Sequence, residues 1–283
     1  MTSAPQPSAA AMCCAQFYEQ DIVREIMGDS FHPGGPALSQ RLVTSLNLPT
    51  GSRSLDIASG VGTTTQFMAE QGLHATGLDF SEVNIARASQ TIGEQGFETG
   101  SASFQQGSAD TLAFEDATFD AVTCECAVST FEKQAQVAAE VFRVLKPGGV
   151  FGMTDMVVNG ELPADVAASI APWTCLAEAH PINGYQRLFL NAGFSVVRYV
   201  DVSETLLELV SELKRKLVMV GMSKLVGALG GMELDITQMR ALLAQAKELV
   251  NAGTVQYAML VFSKGKPAHP FMDCDTDTTC CKE

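Results

Sequence analysis

Two sets of residues in this chain have the types and spacing to do chemistry. The first is the run Leu55-Asp56-Ile57-Ala58-Ser59-Gly60-Val61-Gly62-Thr63, followed by Gly77-Leu78-Asp79-Phe80. An apolar strand enters a tight Gly-rich turn, a helix follows, and a second strand ends in a carboxylate. In a βαβ unit this leaves room for a nucleoside beside the backbone N–H groups of a helix N-terminus, with Asp79 placed to accept from a ribose diol. The second set is the eight cysteines: Cys13-Cys14, Cys124, Cys126, Cys175, Cys274 and Cys280-Cys281. Cys124-Glu125-Cys126 is too closely spaced for a structural zinc pair, and adjacent thiols do not match a zinc knuckle. No resident metal is expected. Thiolates brought together from distant segments suit capture of a soft, thiophilic centre instead.

The elements that must position these residues follow from the periodicity. Helical spacing covers residues 17–27 and 37–46, separated by the stiff loop Phe31-His32-Pro33-Gly34-Gly35-Pro36. Strands are predicted at 54–57, 75–79, 103–106, 121–124, 150–156, 194–201 and 255–262. Strands alternating with helices predict an α/β fold: a Rossmann-like, seven-stranded, mainly parallel sheet with helices on both faces. The parse is a disordered leader over 1–11, an N-terminal helical cap over 12–47 and a core over 48–203. A helical insertion over 204–252, the last core strand over 253–263 and a Cys-containing tail over 264–283 complete it. Ligands in such sheets bind beyond the carboxyl ends of the strands, so the cap, the segment after strand five and the insertion are free to cover that mouth.

The order of motifs resembles the class I S-adenosylmethionine-dependent methyltransferases over about residues 48–262. It consists of the Gly-rich turn, Asp79, then Gly107-Ser108-Ala109-Asp110, then Phe119-Asp120-Ala121-Val122-Thr123, then Leu145-Lys146-Pro147-Gly148-Gly149. A dinucleotide-binding dehydrogenase needs a third glycine opening the helix, where Thr63, Thr64 and Thr65 stand. The resemblance implies that the turn (Asp56, Ala58, Gly60, Gly62 and Thr63) approaches the methionine part of S-adenosylmethionine. It implies that Asp79 and Phe80 hold the ribose, and that Asp110, with Ser108 and Ala109, meets the adenine. Glu125 and Tyr18 complete the implied cofactor set. Ala58 replaces the family's first glycine.

A closer resemblance, to arsenite methyltransferases, rests on the N-terminal Cys13-Cys14, on Trp173-Thr174-Cys175, and on Tyr185 with Asn191-Ala192-Gly193-Phe194. It implies that Cys175 supplies a thiolate to As(III), with Cys13, Cys14, Cys280 and Cys281 as further thiols. The family's cysteine just after the Gly-rich turn is absent, Thr and Gln standing there. An arsenic lone pair needs no general base. His32 and His180 are the bases available at the mouth, the competing reading being structural. Cys124 reads as a buried strand residue and Cys126 as a wall of the cofactor site.

A net charge of −14 disfavours nucleic acid as a partner, because phosphate binding needs clustered Lys and Arg. No apolar run approaches the length of a membrane span, and residues 1–11 lack the features of a secretory signal. A cytoplasmic enzyme with a small-molecule substrate is expected. Two alternatives stand beside arsenic. One is methylation of carbon, oxygen or sulfur on a small apolar metabolite, with Met219, Met222, Met232 and Met239 lining a pliable pocket. The other is a non-catalytic thiol sensor of soft metals, which would have no use for Asp79.

Overall fold

The computed structural model describes residues 32–93, 100–169, 175–176, 178–219 and 236–269. Helix α1 (Gly35–Ser45) begins two residues before the predicted helix, with Pro36 in its first turn, where a missing N–H leaves no bond unmade. The predicted helix over 17–27 and residues 220–235 of the predicted helical insertion lie outside the described residues.

The strands are β1 (Arg53–Ile57), β2 (His74–Asp79), β3 (Ser101–Gln106), β4 (Phe119–Glu125), β5 (Leu145–Val158), β6 (Ser195–Asp201) and β7 (Val255–Ser263). They form one seven-stranded sheet in the order β3-β2-β1-β4-β5-β7-β6. The first five neighbours pair in parallel, whereas β7 lies antiparallel between β5 and β6. The sheet is therefore mixed and mostly parallel, the parallel part following the alternating pattern.

Helices α2 (Thr63–Glu70), α3 (Glu82–Gly93) and α4 (Gln134–Val144) make the crossovers. Short α5 (Ala164–Ser169) and α6 (Ile182–Asn191) follow β5, while α7 (Glu204–Met219) and α8 (Ile236–Asn251) precede β7 and pack on each other. Strand β5 starts at Leu145 rather than 150. Leu145 pairs with Phe119, and a register shift then absorbs Lys146-Pro147-Gly148-Gly149 before Val150 pairs with Ala121. Gly148, at φ 80°, supplies the left-handed turn this needs.

Central β5 and β7 are buried almost throughout, which is why they read as continuous apolar runs, while edge strand β3 is mostly exposed or half-buried. One side of the sheet carries a cluster of Phe151, Phe189, Phe194 and Phe262, with ring centroids 4.7–6.2 Å apart. Each such buried ring contributes roughly 1.5–3 kcal/mol. On the other side a Cβ on Gly152 would crowd Leu42 and Leu46, so α1 sits directly on β5. The strand order reverses between β1 and β4, and the register sets Ile57 beside Cys124 and Glu125 beside Thr154. The loops after β1, β2, β3 and β4 thus open on one edge, at the switch point where such sheets bind ligands.

Candidate active site

Backbone strain marks the ends of the two central strands. Ala58, just after β1, has φ 58°, and Cys126, just after β4, has φ 51°. A side chain in this region costs about 1–2 kcal/mol and clusters at functional sites. The turn continues through Gly60 at φ 54° and Gly62 at φ 87°. It is closed by Ser59 N–H donating to Leu78 O (3.1 Å) and Gly62 N–H donating to Ser59 O (2.9 Å). A Cβ on Gly62 or on Gly77 would overlap the Phe104 ring, so these glycines let β3 close against the turn. Gly60 is different: a Cβ there would meet nothing within 4 Å. It faces open space at the mouth.

Asp79, at the end of β2 and 6% exposed, accepts from Gly60 N–H through Oδ2 and from Ser81 N–H through Oδ1, both at 2.9 Å. Its carboxylate therefore fixes the turn. Asp56 sits beneath the turn at 3% exposure, where Thr65 Oγ1 (2.8 Å) and Thr123 Oγ1 (2.9 Å) donate to its two oxygens. The geometry makes it a brace between α2 and β4 rather than a group reaching outward. Burial first, then the Glu125 charge, pushes its carboxyl up to about 7. Beyond β3, Asp110 takes hydrogen bonds from Ser108 Oγ and Thr111 Oγ1, and Lys133 Nζ lies 3.0 Å from its Oδ2. Burial raises this carboxyl, but the Ser108 and Lys133 contacts outweigh that and leave it below its ordinary value. Ala109 is buried in the core below, and Phe80 O accepts from Gln106 Nε2 (3.1 Å). Thr63 opens α2, with Gly62 as its N-cap.

At the end of β4, Glu125 joins three elements. Thr64 Oγ1 donates to Oε1 (2.7 Å), Ser39 Oγ donates to Oε2 (3.2 Å), and His32 Nε2 lies 3.5 Å from Oε2. His32 is also within hydrogen-bond distance of Ser39 Oγ (3.1 Å) and Pro33 O (3.0 Å), so both ring nitrogens are engaged in holding the loop before α1. His180 is likewise structural: Nε2 meets Gln134 Oε1 at 2.6 Å, its ring stands edge-on to Tyr185, and burial lowers its pKa. Neither histidine is presented as a base.

The thiols produce the clearest departure from expectation. Cys124 is in the core, as expected, and burial pushes its thiol well up. Cys126 does not share its side of the sheet. The left-handed turn after β4 sends it to a separate cluster that contains Cys175, Met156 and Tyr257. There Cys126 Sγ donates to Cys175 Sγ at 3.1 Å, and Cys175 Sγ donates to Cys126 O at 2.8 Å. Cys126 is half-buried, and Cys175 is 6% exposed. Reading Cys126 as a wall missed this pairing. The available signal was its position one residue past a strand end at the switch point. Cys13, Cys14, Tyr18, Cys280 and Cys281 lie outside the described residues.

The chain matches the methyltransferase domain family over residues 55–153. It is 28% identical to methyltransferase GfsG of Streptomyces halstedii over 66% of this chain and 74% of that one. It is 28% identical to sterol 24-C-methyltransferase erg-4 of Neurospora crassa (62% and 48%) and 31% identical to arsenite methyltransferase of Mus musculus (45% and 37%). The chain spans less than half the length of these last two. The domain match and these likenesses together indicate a class I S-adenosylmethionine-dependent methyltransferase.

Among solved structures, a putative sarcosine dimethylglycine methyltransferase from Galdieria sulphuraria overlays with a TM-score of 0.73. Identity is 20%, over 88% of this chain and 99% of that one. That likeness shows the fold. The methyltransferase also has what the cofactor demands. Gly60 leaves open space that a Cβ would take, Asp79 lies at the end of β2 beside it, and Ser59 Oγ and Asn84 Oδ1 are buried with no hydrogen-bond partner. S-adenosylmethionine is its cofactor, and bound there it supplies an electrophilic sulfonium methyl group. None of the described helices is long and apolar enough to cross a membrane.

Proposed function

We propose that this methyltransferase transfers the methyl group to trivalent arsenic captured by Cys126 and Cys175. The observation that supports the reading is the pair of sulfur atoms 3.1 Å apart at the carboxyl end of β4, next to Glu125 and across the switch point from the Gly-rich turn. Two thiols so close suit a soft, thiophilic atom better than a carbon or oxygen acceptor. The likeness to mouse arsenite methyltransferase agrees with this. Arsenic(III) held by thiolates keeps a lone pair and needs no proton removed, which matches a mouth whose two histidines are otherwise engaged.

In this reading Asp79 holds the ribose, Asp110 the adenine, and the turn from Ala58 to Thr63 the methionine part, with Glu125 beside them. The chain's remaining task is to fix the acceptor and exclude water. Cys13 or Cys14 and Cys280 or Cys281 are proposed as additional thiols. The reaction belongs in the cytoplasm, where thiols stay reduced.

The test is As(III) binding and methylation by wild type, Cys126→Ser and Cys175→Ser. Loss of both in the variants, with S-adenosylmethionine affinity retained, is expected; full activity in either variant removes that residue from the site. The sterol methyltransferase likeness favours a second reading, an apolar metabolite as acceptor. On that reading both serine variants keep turnover.

A further inference from the structure

Helix α4 and the residue before it reach the loop after β3 with four side chains. Lys133 Nζ lies 3.0 Å from Asp110 Oδ2, and Gln136 Nε2 donates to Asp110 O at 2.8 Å. Further along, Glu140 Oε2 accepts from Leu112 N–H at 2.8 Å, while Arg143 donates to Leu112 O (2.9 Å), Phe114 O (2.7 Å) and Asp116 Oδ1 (2.9 Å). Glu140 and Arg143 also bond each other twice, at 2.8 and 2.9 Å. The loop has little secondary structure of its own, a single bridge between Ser108 and Thr111. Its shape is imposed by the helix.

The two contacts at Asp110 are distinct from the rest. Glu140 and Arg143 hold the loop further along, at Leu112, Phe114 and Asp116. Lys133 and Gln136 instead grip one residue from both ends, carboxylate and carbonyl, and do so from the exposed surface. An exposed pair of this kind adds little to stability. Ser108 Oγ and Thr111 Oγ1 already donate to Oδ1, so Lys133 on Oδ2 and Gln136 on the carbonyl complete the set: the carboxylate's rotamer is fixed before a ligand arrives, and none of that ordering is left to binding.

We propose that Lys133 and Gln136 are positioning residues for base recognition, holding Asp110 so that it accepts from the adenine 6-amino group and rejects a ring that carries a carbonyl there. This rests on the assignment of Asp110 to the adenine.

The experiment compares S-adenosylhomocysteine with S-inosylhomocysteine by calorimetry on the full chain, for wild type, Lys133→Met, Gln136→Leu and the double variant. For wild type a preference of about tenfold or more for the adenosyl ligand is expected, from one hydrogen bond to a charged acceptor. In the double variant the preference falls to about threefold or less, through weaker adenosyl binding, with inosyl affinity and the unfolding temperature unchanged. Lys133→Arg keeps the wild-type preference. Equal weakening of both ligands, or an undiminished preference, overturns the proposal while leaving Asp110 at the adenine. A wild-type preference near one removes Asp110 from the base and the proposal with it.

Discussion

Replacing Asp79 by Asn tests the cofactor end of the site with almost no change in volume. The carboxylate is 6% exposed and accepts two backbone N–H groups at 2.9 Å, from Gly60 and Ser81. An amide offers one oxygen and one NH2, so one of those N–H groups faces another donor. Leaving a buried donor unsatisfied costs roughly 1–3 kcal/mol. That is the expected loss of folding stability, read by urea denaturation. The same change removes the charged acceptor for the ribose diol, and hydrogen bonds to charged groups contribute about 1.5–3 kcal/mol each. Since 1.4 kcal/mol is about tenfold in affinity, S-adenosylmethionine should bind about 10–100-fold more weakly by calorimetry. Affinity within threefold of wild type, in a variant that still folds, refutes the placement of Asp79 at the ribose.

Three further outcomes follow from the turn and its supports. Gly62→Ala should destabilise the protein by about 2–5 kcal/mol in urea, because its Cβ overlaps the Phe104 ring and its φ is 87°. Ala58→Gly should do the opposite and stabilise by about 0.5–1 kcal/mol, relief of a left-handed alanine exceeding the added freedom of the unfolded chain. The third concerns pH. Burial pushes the Asp56 carboxyl up to about 7 in the native state against 3.8 in the unfolded chain, so between those values only the native state keeps its proton. Stability should therefore fall as pH rises from about 4 to 7 and level off above, and Asp56→Asn, which Thr65 and Thr123 hydroxyls accommodate, should make that slope shallower, the remainder coming from Asp155, which burial also raises to about 7. Parallel pH profiles for wild type and variant contradict the assignment.

The turn and Asp79 were legible because their signals are local. Glycines at positive φ and a carboxylate ending an apolar strand each carry their reason within a few residues. The sheet was legible from alternation, although nothing in the run 255–262 announces that β7 enters antiparallel between β5 and β6. The long-range contacts were not legible. Cys126 and Cys175 are 49 residues apart and meet only because Cys126 takes a left-handed turn that strand alternation does not anticipate. Glu125 was placed at the cofactor, but its ties to Ser39 and Thr64 depend on how α1 and α2 pack. Glu140 and Arg143 look like an ordinary i,i+3 helix pair until the loop from Leu112 to Asp116 is seen to fold against them.

The central claim is that the paired thiols present arsenic for methylation. Its most direct test is an incubation of the purified, reduced protein with S-adenosylmethionine, As(III) and glutathione, reading methylated arsenic by mass spectrometry beside the Cys126→Ser and Cys175→Ser variants. Methylated arsenic from wild type and none from either variant is the expected result. Cofactor binding without any methylated arsenic from wild type contradicts the claim and assigns the mouth to another acceptor.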